Sequence, residues 1–301
     1  MRNNEIVVGF DGSAQSRAAL RFAVAQARRM RATVRAVTAY DYNWGAGRFG
    51  GSAEQEQTVR AQHESDLAEA IEEIRPIAGS ITMTGSAVLG EPAPVLLNAG
   101  RAAALTVVGN RGRGGFGSLL LGSVSQKVAT HARHPVVVVR GSVDTTTGPV
   151  IVGVDHTDHS DHTGHSDHTI GAAFEEAARR ESPVIAIHAY EYPAAYGVMA
   201  MNVLPYKPED LRDAEVAALE MTLEPWREKF PGVPAQALVA HGTAARVLVD
   251  VSSNAGLVVV GSRGHSGVAG TLLGSVSLQV LHHADCPVMV VHPTDTPDPE
   301  E

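Results

Sequence analysis

The sequence predicts two successive α/β domains, each built on a parallel β-sheet, and two observations lead to this prediction. The two halves of the 301-residue chain resemble each other, and within each half short β-branched runs alternate with amphipathic helical patterns. Such alternation is typical of βαβ units, whose strands form a parallel sheet. The length agrees with two domains, because one domain usually has about 100 to 200 residues.

The internal repeat is clearest near the end of each half. Residues 105–140 align without gaps on residues 257–292, and about 20 of the 36 positions are identical. Val-Gly-Phe-Asp at 8–11 also matches Val-Gly-Val-Asp at 152–155, at an offset of 144 instead of 152. A period of about half the chain indicates a duplicated domain. The change of offset indicates an insertion of eight residues after Asp155.

Five strands are predicted in each half. They lie near 5–10, 33–39, 81–88, 104–109 and 135–140, and near 149–154, 183–189, 233–240, 256–261 and 287–292. The runs Val136 to Val139 and Leu257 to Val260 lack polar alternation, which indicates strands covered by helices on both faces. The expected boundaries are a first domain at 1–141, a linker at 142–148, a second domain at 149–293 and an acidic tail at 294–301.

Composition limits the partners and the compartment. The formal net charge of −9 gives no electrostatic reason to expect a nucleic acid or an anionic membrane as the main partner. The single cysteine, Cys286, permits no intrachain disulfide and favours a reducing compartment. The apolar run at 6–10 is too short for a signal or membrane segment. We therefore expect a cytoplasmic protein.

One glycine motif occurs in both halves. A strand ending in glycine is followed by Gly-x-x-Gly, nine residues and a Gly-Ser pair that opens a helix, as in Gly109, Gly112, Gly122 and Ser123. Glycines allow a close backbone approach to a ligand, and a helix N-terminus offers unpaired N–H groups to a phosphate. The serine hydroxyl is suited to capping the helix, to donating to a phosphate, or to both.

Two other phosphate-binding motifs fit less well. A P-loop needs Gly-Lys followed by Ser or Thr, and none of the three lysines follows a glycine. The G-x-G-x-x-G pattern at 112–117 follows the predicted fourth strand instead of the first, and the second half does not repeat it.

The repeated motif, together with Val-Gly-x-Asp at the first strand of each half, resembles the universal stress protein family over almost the whole chain. The resemblance implies two tandem Rossmann-like domains, each an open five-stranded parallel sheet in the order 3-2-1-4-5 with helices on both faces. Ligands of such sheets bind at the carboxyl ends of the strands, where the strand order reverses. The loops after strands one and four would therefore face one crevice.

The resemblance also implies which residues bind ATP. Asp11 is expected near the ribose and adenine, and Ala39 beside the base. The positions expected around ribose and phosphates in the first half are Gly109, Gly112, Gly122, Ser123, Val124 and Ser125. The matching positions in the second half are Asp155, Ala189, Gly261, Gly264, Gly274, Ser275, Val276 and Ser277.

Three of these assignments have alternatives. Arg111 and Arg263 are added because a guanidinium inside a phosphate loop can form charge-assisted hydrogen bonds, and each is alternatively a solvated loop charge. For Asp11 the alternative is a helix cap or turn residue.

A histidine-rich tract distinguishes the second half. Histidines recur every third residue over 156–168, with aspartates before most of them. The tract is interpreted as a low-complexity expansion, with metal binding through imidazoles as the alternative. An insertion beside Asp155 is expected to reshape or disable the second site, so the first site carries the stronger expectation.

The expected function is that of an ATP-binding regulator of the stress response, with Mg²⁺ as the accompanying ion and without enzyme activity. The alternatives are a slow ATP hydrolase and a scaffold that binds no nucleotide. A homodimer is expected through the apolar last strands, 135–140 and 287–292. The downstream protein partner does not follow from the sequence.

Overall fold

The computed structural model describes residues 3–41, 53–113, 120–141, 147–155, 165–191, 208–263 and 273–293. These residues divide into two compact units, one ending at Gly141 and the other running from Thr147 to Pro293. Each unit alternates strands and helices, as the sequence pattern predicts. Among the helices of the described residues, none has both the length and the apolar composition needed to cross a membrane.

The first unit contains five strands and four helices. In chain order they are β1 Asn3–Gly9, α1 Ala14–Met30, β2 Thr33–Tyr40, α2 Ala53–Ala78, β3 Met83–Leu89, α3 Pro92–Gly100, β4 Ala103–Gly109, α4 Ser123–His131 and β5 Val136–Val139.

The second unit repeats this arrangement. Its elements are β6 Val150–Gly153, α5 His165–Arg180, β7 Val184–Tyr190, α6 Pro208–Lys229, β8 Ala235–His241, α7 Ala244–Ser252, β9 Leu257–Gly261, α8 Ser275–His283 and β10 Val288–Val291. Every observed strand in the two units begins and ends within two residues of its predicted bounds.

The strand order confirms the expected topology. In the first unit the order is β3-β2-β1-β4-β5, and in the second it is β8-β7-β6-β9-β10, so both have the order 3-2-1-4-5. The strand pairs within each unit are parallel. In the first unit Val8 of β1 lies beside Val107 of β4. The loops that follow these two strands therefore start side by side at the carboxyl edge of the sheet.

Apolar side chains from strands and helices form the core of each unit. The side chains of β5 and β10 are buried throughout, in agreement with their continuous apolar sequence. Helix α1 contributes Leu20 and Phe22, and α5 contributes Ile170 and Phe174, all four almost completely buried. Burial of such a side chain stabilises a fold by about 1.5 to 3 kcal/mol. This packing holds the strand ends, and with them the loops, in a defined position.

Candidate functional site

A cavity of about 410 Å³ lies at the carboxyl ends of β1, β2 and β4 in the first unit. This is the edge at which the strand order reverses, where ligands of open α/β sheets bind. Its lining residues are Gly9, Phe10, Asp11, Ser16, Val37, Ala39, Pro92, Leu96, Val108, Gly109, Arg111, Gly112, Arg113, Gly122, Ser123, Val124 and Ser125. All nine residues expected at the first site are therefore part of one cavity wall.

Asp11 connects the loops that follow β1 and β4. One carboxylate oxygen accepts a hydrogen bond from the Ser13 amide at 3.0 Å, and the other accepts one from the Arg113 amide at 2.9 Å. Burial acts to raise the pKa of Asp11, but hydrogen bonds from the Ser13 side chain, the Ser13 amide and the Arg113 amide outweigh it, so that the pKa lies below the usual value. Asp11 is thus both a turn residue and part of the cavity wall.

Two glycines of the motif lie where a side chain would collide with its surroundings. A Cβ on Gly109 would come within 2.8 Å of the backbone carbonyl carbon of Gln15 in α1. A Cβ on Gly112 would overlap the Asp11 carboxylate. Gly109 therefore allows the end of β4 to pack against α1, and Gly112 allows the loop after β4 to reach Asp11.

Helix α4 presents its N-terminus to the cavity. Gly122 is the residue before its first turn, and no side chain among the described residues caps it. The suggestion that Ser123 caps this helix is wrong, because Ser123 is its first helical residue. In contrast, α1 is capped by Ser13, whose hydroxyl accepts a hydrogen bond from the Ser16 amide. The first amides of α4 are thus available to a bound anion.

Ser125 has a structural contact that the sequence did not predict. Its buried hydroxyl donates a hydrogen bond of 2.6 Å to the carbonyl oxygen of Gly109. The Gly122 amide donates a 2.7 Å bond to the Asn110 carbonyl oxygen. Both bonds connect the start of α4 to the end of β4. The hydroxyl hydrogen is therefore used within the protein, and the expected role of Ser125 in holding phosphate is left to its backbone amide.

Several wall residues were missed by sequence reasoning. Pro92 and Leu96 belong to α3, which follows the edge strand β3. Phe10 directly follows β1, and Val37 lies in the second half of β2. The repeat contained one usable signal, because Leu96 matches Leu248 in the aligned second half. Arg113 was missed because it lies just outside the Gly-x-x-Gly motif.

The second unit has a smaller cavity at the same edge, with a volume of about 170 Å³. The expected residues that line it are Asp155, Ala189, Gly261, Arg263, Gly274, Ser275, Val276 and Ser277. The expected residue Gly264 lies outside the described residues. The wall also contains residues that were not predicted, namely Gly153, Val154, Ile187, Ala244, Leu248 and Val260.

Local geometry around the second motif repeats that of the first. The Ser277 hydroxyl donates to the Gly261 carbonyl oxygen at 2.6 Å, as Ser125 does to Gly109. Gly274 precedes α8 without a side-chain cap among the described residues, so Ser275 is not the cap either. The two helix starts are therefore built alike.

The histidine-rich tract lies mostly outside the described residues, which omit 156–164. Its last residues, from His165, form the first turn of α5. Within the described parts of the chain, no three His, Cys, Asp or Glu side chains are grouped as metal ligands would be. The metal-binding alternative for the tract stays a hypothesis.

Comparison with known proteins identifies the family. Residues 2–140 and 147–292 each match the universal stress protein family. A universal stress protein of Mycolicibacterium smegmatis is 33% identical over 299 residues, covering 96% of this chain and 97% of its own. One from Mycobacterium tuberculosis is 32% identical over 304 residues, covering 95% of each chain. These matches extend over both halves.

A solved structure has the same fold. The crystal structure of a universal stress protein from Archaeoglobus fulgidus superposes with a TM-score of 0.68 at 19% identity, covering 96% of this chain and 97% of its own. With the glycine motifs and the strand order, these findings show that the chain belongs to the universal stress protein family and carries two of its domains in tandem.

Proposed function

We propose that the first unit binds ATP in its 410 Å³ cavity and that the protein acts as a stress-response regulator without catalytic turnover. The observation that carries the proposal is the composition of this one cavity. One end offers donors for an anion, and the other offers an apolar wall. A nucleotide has the same two ends, and known ligand pockets have about 300 to 1,000 Å³.

The anion end combines three features. It contains the uncapped start of α4, the glycine loop from Gly109 to Gly112, and the guanidinium groups of Arg111 and Arg113. Helix N-termini and arginines are both suited to phosphate, the first through amides and the dipole, the second through charge-assisted hydrogen bonds. A phosphate chain is therefore the ligand group that this end favours.

The apolar end suits a base. Val37 and Ala39 from β2, Phe10 after β1 and Leu96 from α3 supply it. Asp11 lies between the two ends, and its carboxylate is a hydrogen-bond acceptor that fits a ribose hydroxyl. These contacts support an adenine nucleotide. The choice of ATP follows from the two arginines at the anion end and from the family resemblance.

Magnesium is proposed as a companion of the phosphates. Asp11 is the only carboxylate among the described lining residues, and both of its oxygens already accept backbone amides. Mg²⁺ is usually held by one or two carboxylates together with phosphate oxygens and water. In this cavity the phosphate oxygens and water would supply most of the ligands of Mg²⁺. Such an arrangement suits nucleotide binding more than hydrolysis.

The proposal gives one ATP per chain. The cavity of the second unit, at about 170 Å³, is below the usual range for ligand pockets. The second cavity is smaller in part because Ile187 takes the position that Val37 has in the first unit. Isoleucine is one methylene larger than valine. The proposed partners are thus one adenine nucleotide and a second copy of the chain. Sedimentation at micromolar concentration checks the second of these.

The first experiment is to denature the freshly purified protein and to identify and count the released nucleotide by mass spectrometry. About one ATP per chain, with no phosphate release on incubation, supports the proposal. About two would contradict the assignment to one unit. Released ADP with measurable turnover would favour the slow hydrolase. Nothing released, and no binding in a titration with ATP, would favour the scaffold.

A further inference from the structure

The position of Arg113 stands out in the wall of the first cavity. Its backbone amide donates to the Asp11 carboxylate at 2.9 Å, which attaches residue 113 to the loop after β1. Its guanidinium lies against Gly12, where a Cβ would come within 2.7 Å of the Arg113 Cζ atom. Gly12 has a φ of 76°, a conformation that favours glycine. The side chain therefore crosses from the β4 loop to the β1 loop at the edge of the cavity.

The charge of Arg113 has no counterion in the described part of the chain. No carboxylate there forms an ion pair with its guanidinium, whereas Arg17 and Arg35 each pair with a glutamate. Asp11 is close, but it binds the Arg113 backbone amide instead. A cation of this kind, in the same cavity wall as the uncapped start of α4, forms a positive edge of the cavity.

We propose that Arg113 contacts the phosphate chain of the nucleotide and determines the preference of the first site for ATP over adenosine. The inference rests on the proposed function of this cavity and adds a specificity residue to it. The Asp11 bond holds the backbone at residue 113, so the side chain starts from a fixed point in the cavity wall. The glycine at position 12 leaves the room that the side chain needs.

The second half lacks this pair in its sequence. The position that aligns with Arg113 is His265, and the insertion after Asp155 replaces the Asp-Gly-Ser turn that contains Gly12. The selectivity that Arg113 provides is therefore a property of the first unit.

The test is calorimetric titration of the full-length chain with ATP, and displacement of ATP by adenosine. The variants are Arg113→Ala, Arg113→Gln, which keeps much of the length, and Arg113→Lys, which keeps the charge. The control is Arg101→Ala, because Arg101 is an exposed arginine before β4, at the opposite edge of the sheet. Thermal denaturation checks that each variant is folded.

The expected result is an affinity for ATP about tenfold lower in Arg113→Ala and Arg113→Gln, from the loss of a charge-assisted hydrogen bond. Adenosine affinity is expected to change less than about twofold, and Arg113→Lys and Arg101→Ala to remain near the wild type. Equal losses for ATP and adenosine, or no loss for ATP, would overturn the inference. A wild-type chain that binds neither ligand would instead overturn the proposed function.

Discussion

The two units share the strand order and the start of the helix after the fourth strand, and they differ in the loop after the first strand. In the first unit, Asp11 and Ser13 form a short turn in which Asp11 binds the Ser13 amide and Ser13 caps α1. In the second unit, α5 begins ten residues after Asp155, at His165. The contacts that build the core are similar in both units, whereas the loop after the first strand, which would meet a ligand, differs between them. The duplication therefore supplies two similar scaffolds and two unequal cavities.

The largest expected effect comes from placing a valine side chain in each cavity, which tests whether only the first cavity binds ATP. Gly122→Val is expected to lower ATP affinity about a hundredfold through overlap with the ligand. Gly122 is extended, with φ −77° and ψ 149°, and a Cβ would have its nearest contact at 3.4 Å, so the backbone tolerates valine. Gly274→Val is expected to leave affinity and stoichiometry as they are. Equal losses in the two variants, measured by titration, would break the comparison.

A second test compares the glycines that end the fourth strands. Gly109→Ala is expected to lower the free energy of unfolding by about 2 kcal/mol, because its Cβ would press on the backbone of Gln15. Gly261→Ala should cost about 1 kcal/mol, since its closest contact would be 3.0 Å. Gly232→Ala is the control, with nothing within 4 Å of its Cβ. Chemical denaturation followed by circular dichroism measures all three, and a larger cost for Gly261→Ala would contradict the prediction.

A third test concerns a feature that the units share. Ser125→Ala and Ser277→Ala each remove a 2.6 Å hydrogen bond to a strand-end carbonyl, and each is expected to lower the free energy of unfolding by about 1 kcal/mol. Only Ser125→Ala should lower ATP affinity, because the lost bond to Gly109 positions the start of α4 at the first cavity. The exposed Ser253→Ala serves as the control in the same denaturation series. Clearly different costs at the two serines would show that the helix starts are not equivalent.

The smallest expected effect is a pH dependence at Asp11. Its pKa is lowered from 3.8 on folding, so its contribution to stability is present above about pH 4 and is lost as the pH falls through the folded-state pKa. The difference in unfolding free energy between the wild type and Asp11→Asn should be constant from about pH 7 to 5 and shrink below about pH 4. The difference caused by Ser125→Ala should not change with pH. A gap that widens in acid would contradict the lowered pKa.

The strands and the glycine motif of the first cavity were predictable from local pattern, whereas expected wall residues such as Asp11 and Ala39 came from the family resemblance. Buried parallel strands leave uninterrupted valine runs, and a glycine motif repeated at one spacing marks the loops at the strand ends. The contacts of individual side chains were predicted less well. Ser125 was expected at the ligand, but its hydroxyl binds the Gly109 carbonyl. A hydroxyl has several possible partners, and sequence alone does not tell which of them is nearest.

By itself, the sequence determined the duplication, the strand positions and the glycine loops, because these follow from hydrophobic period and repeated motifs. The expectation that two loops face a common crevice came from the strand order that the family resemblance implies. The tertiary structure decided which distant residues share the wall, such as Leu96 and Arg113, and how much space each unit leaves. It also decided that Gly109 packs on Gln15 and that Arg113 lies over Gly12. These features depend on contacts between segments as much as about 100 residues apart, and side-chain packing, which no local pattern records, sets their distances.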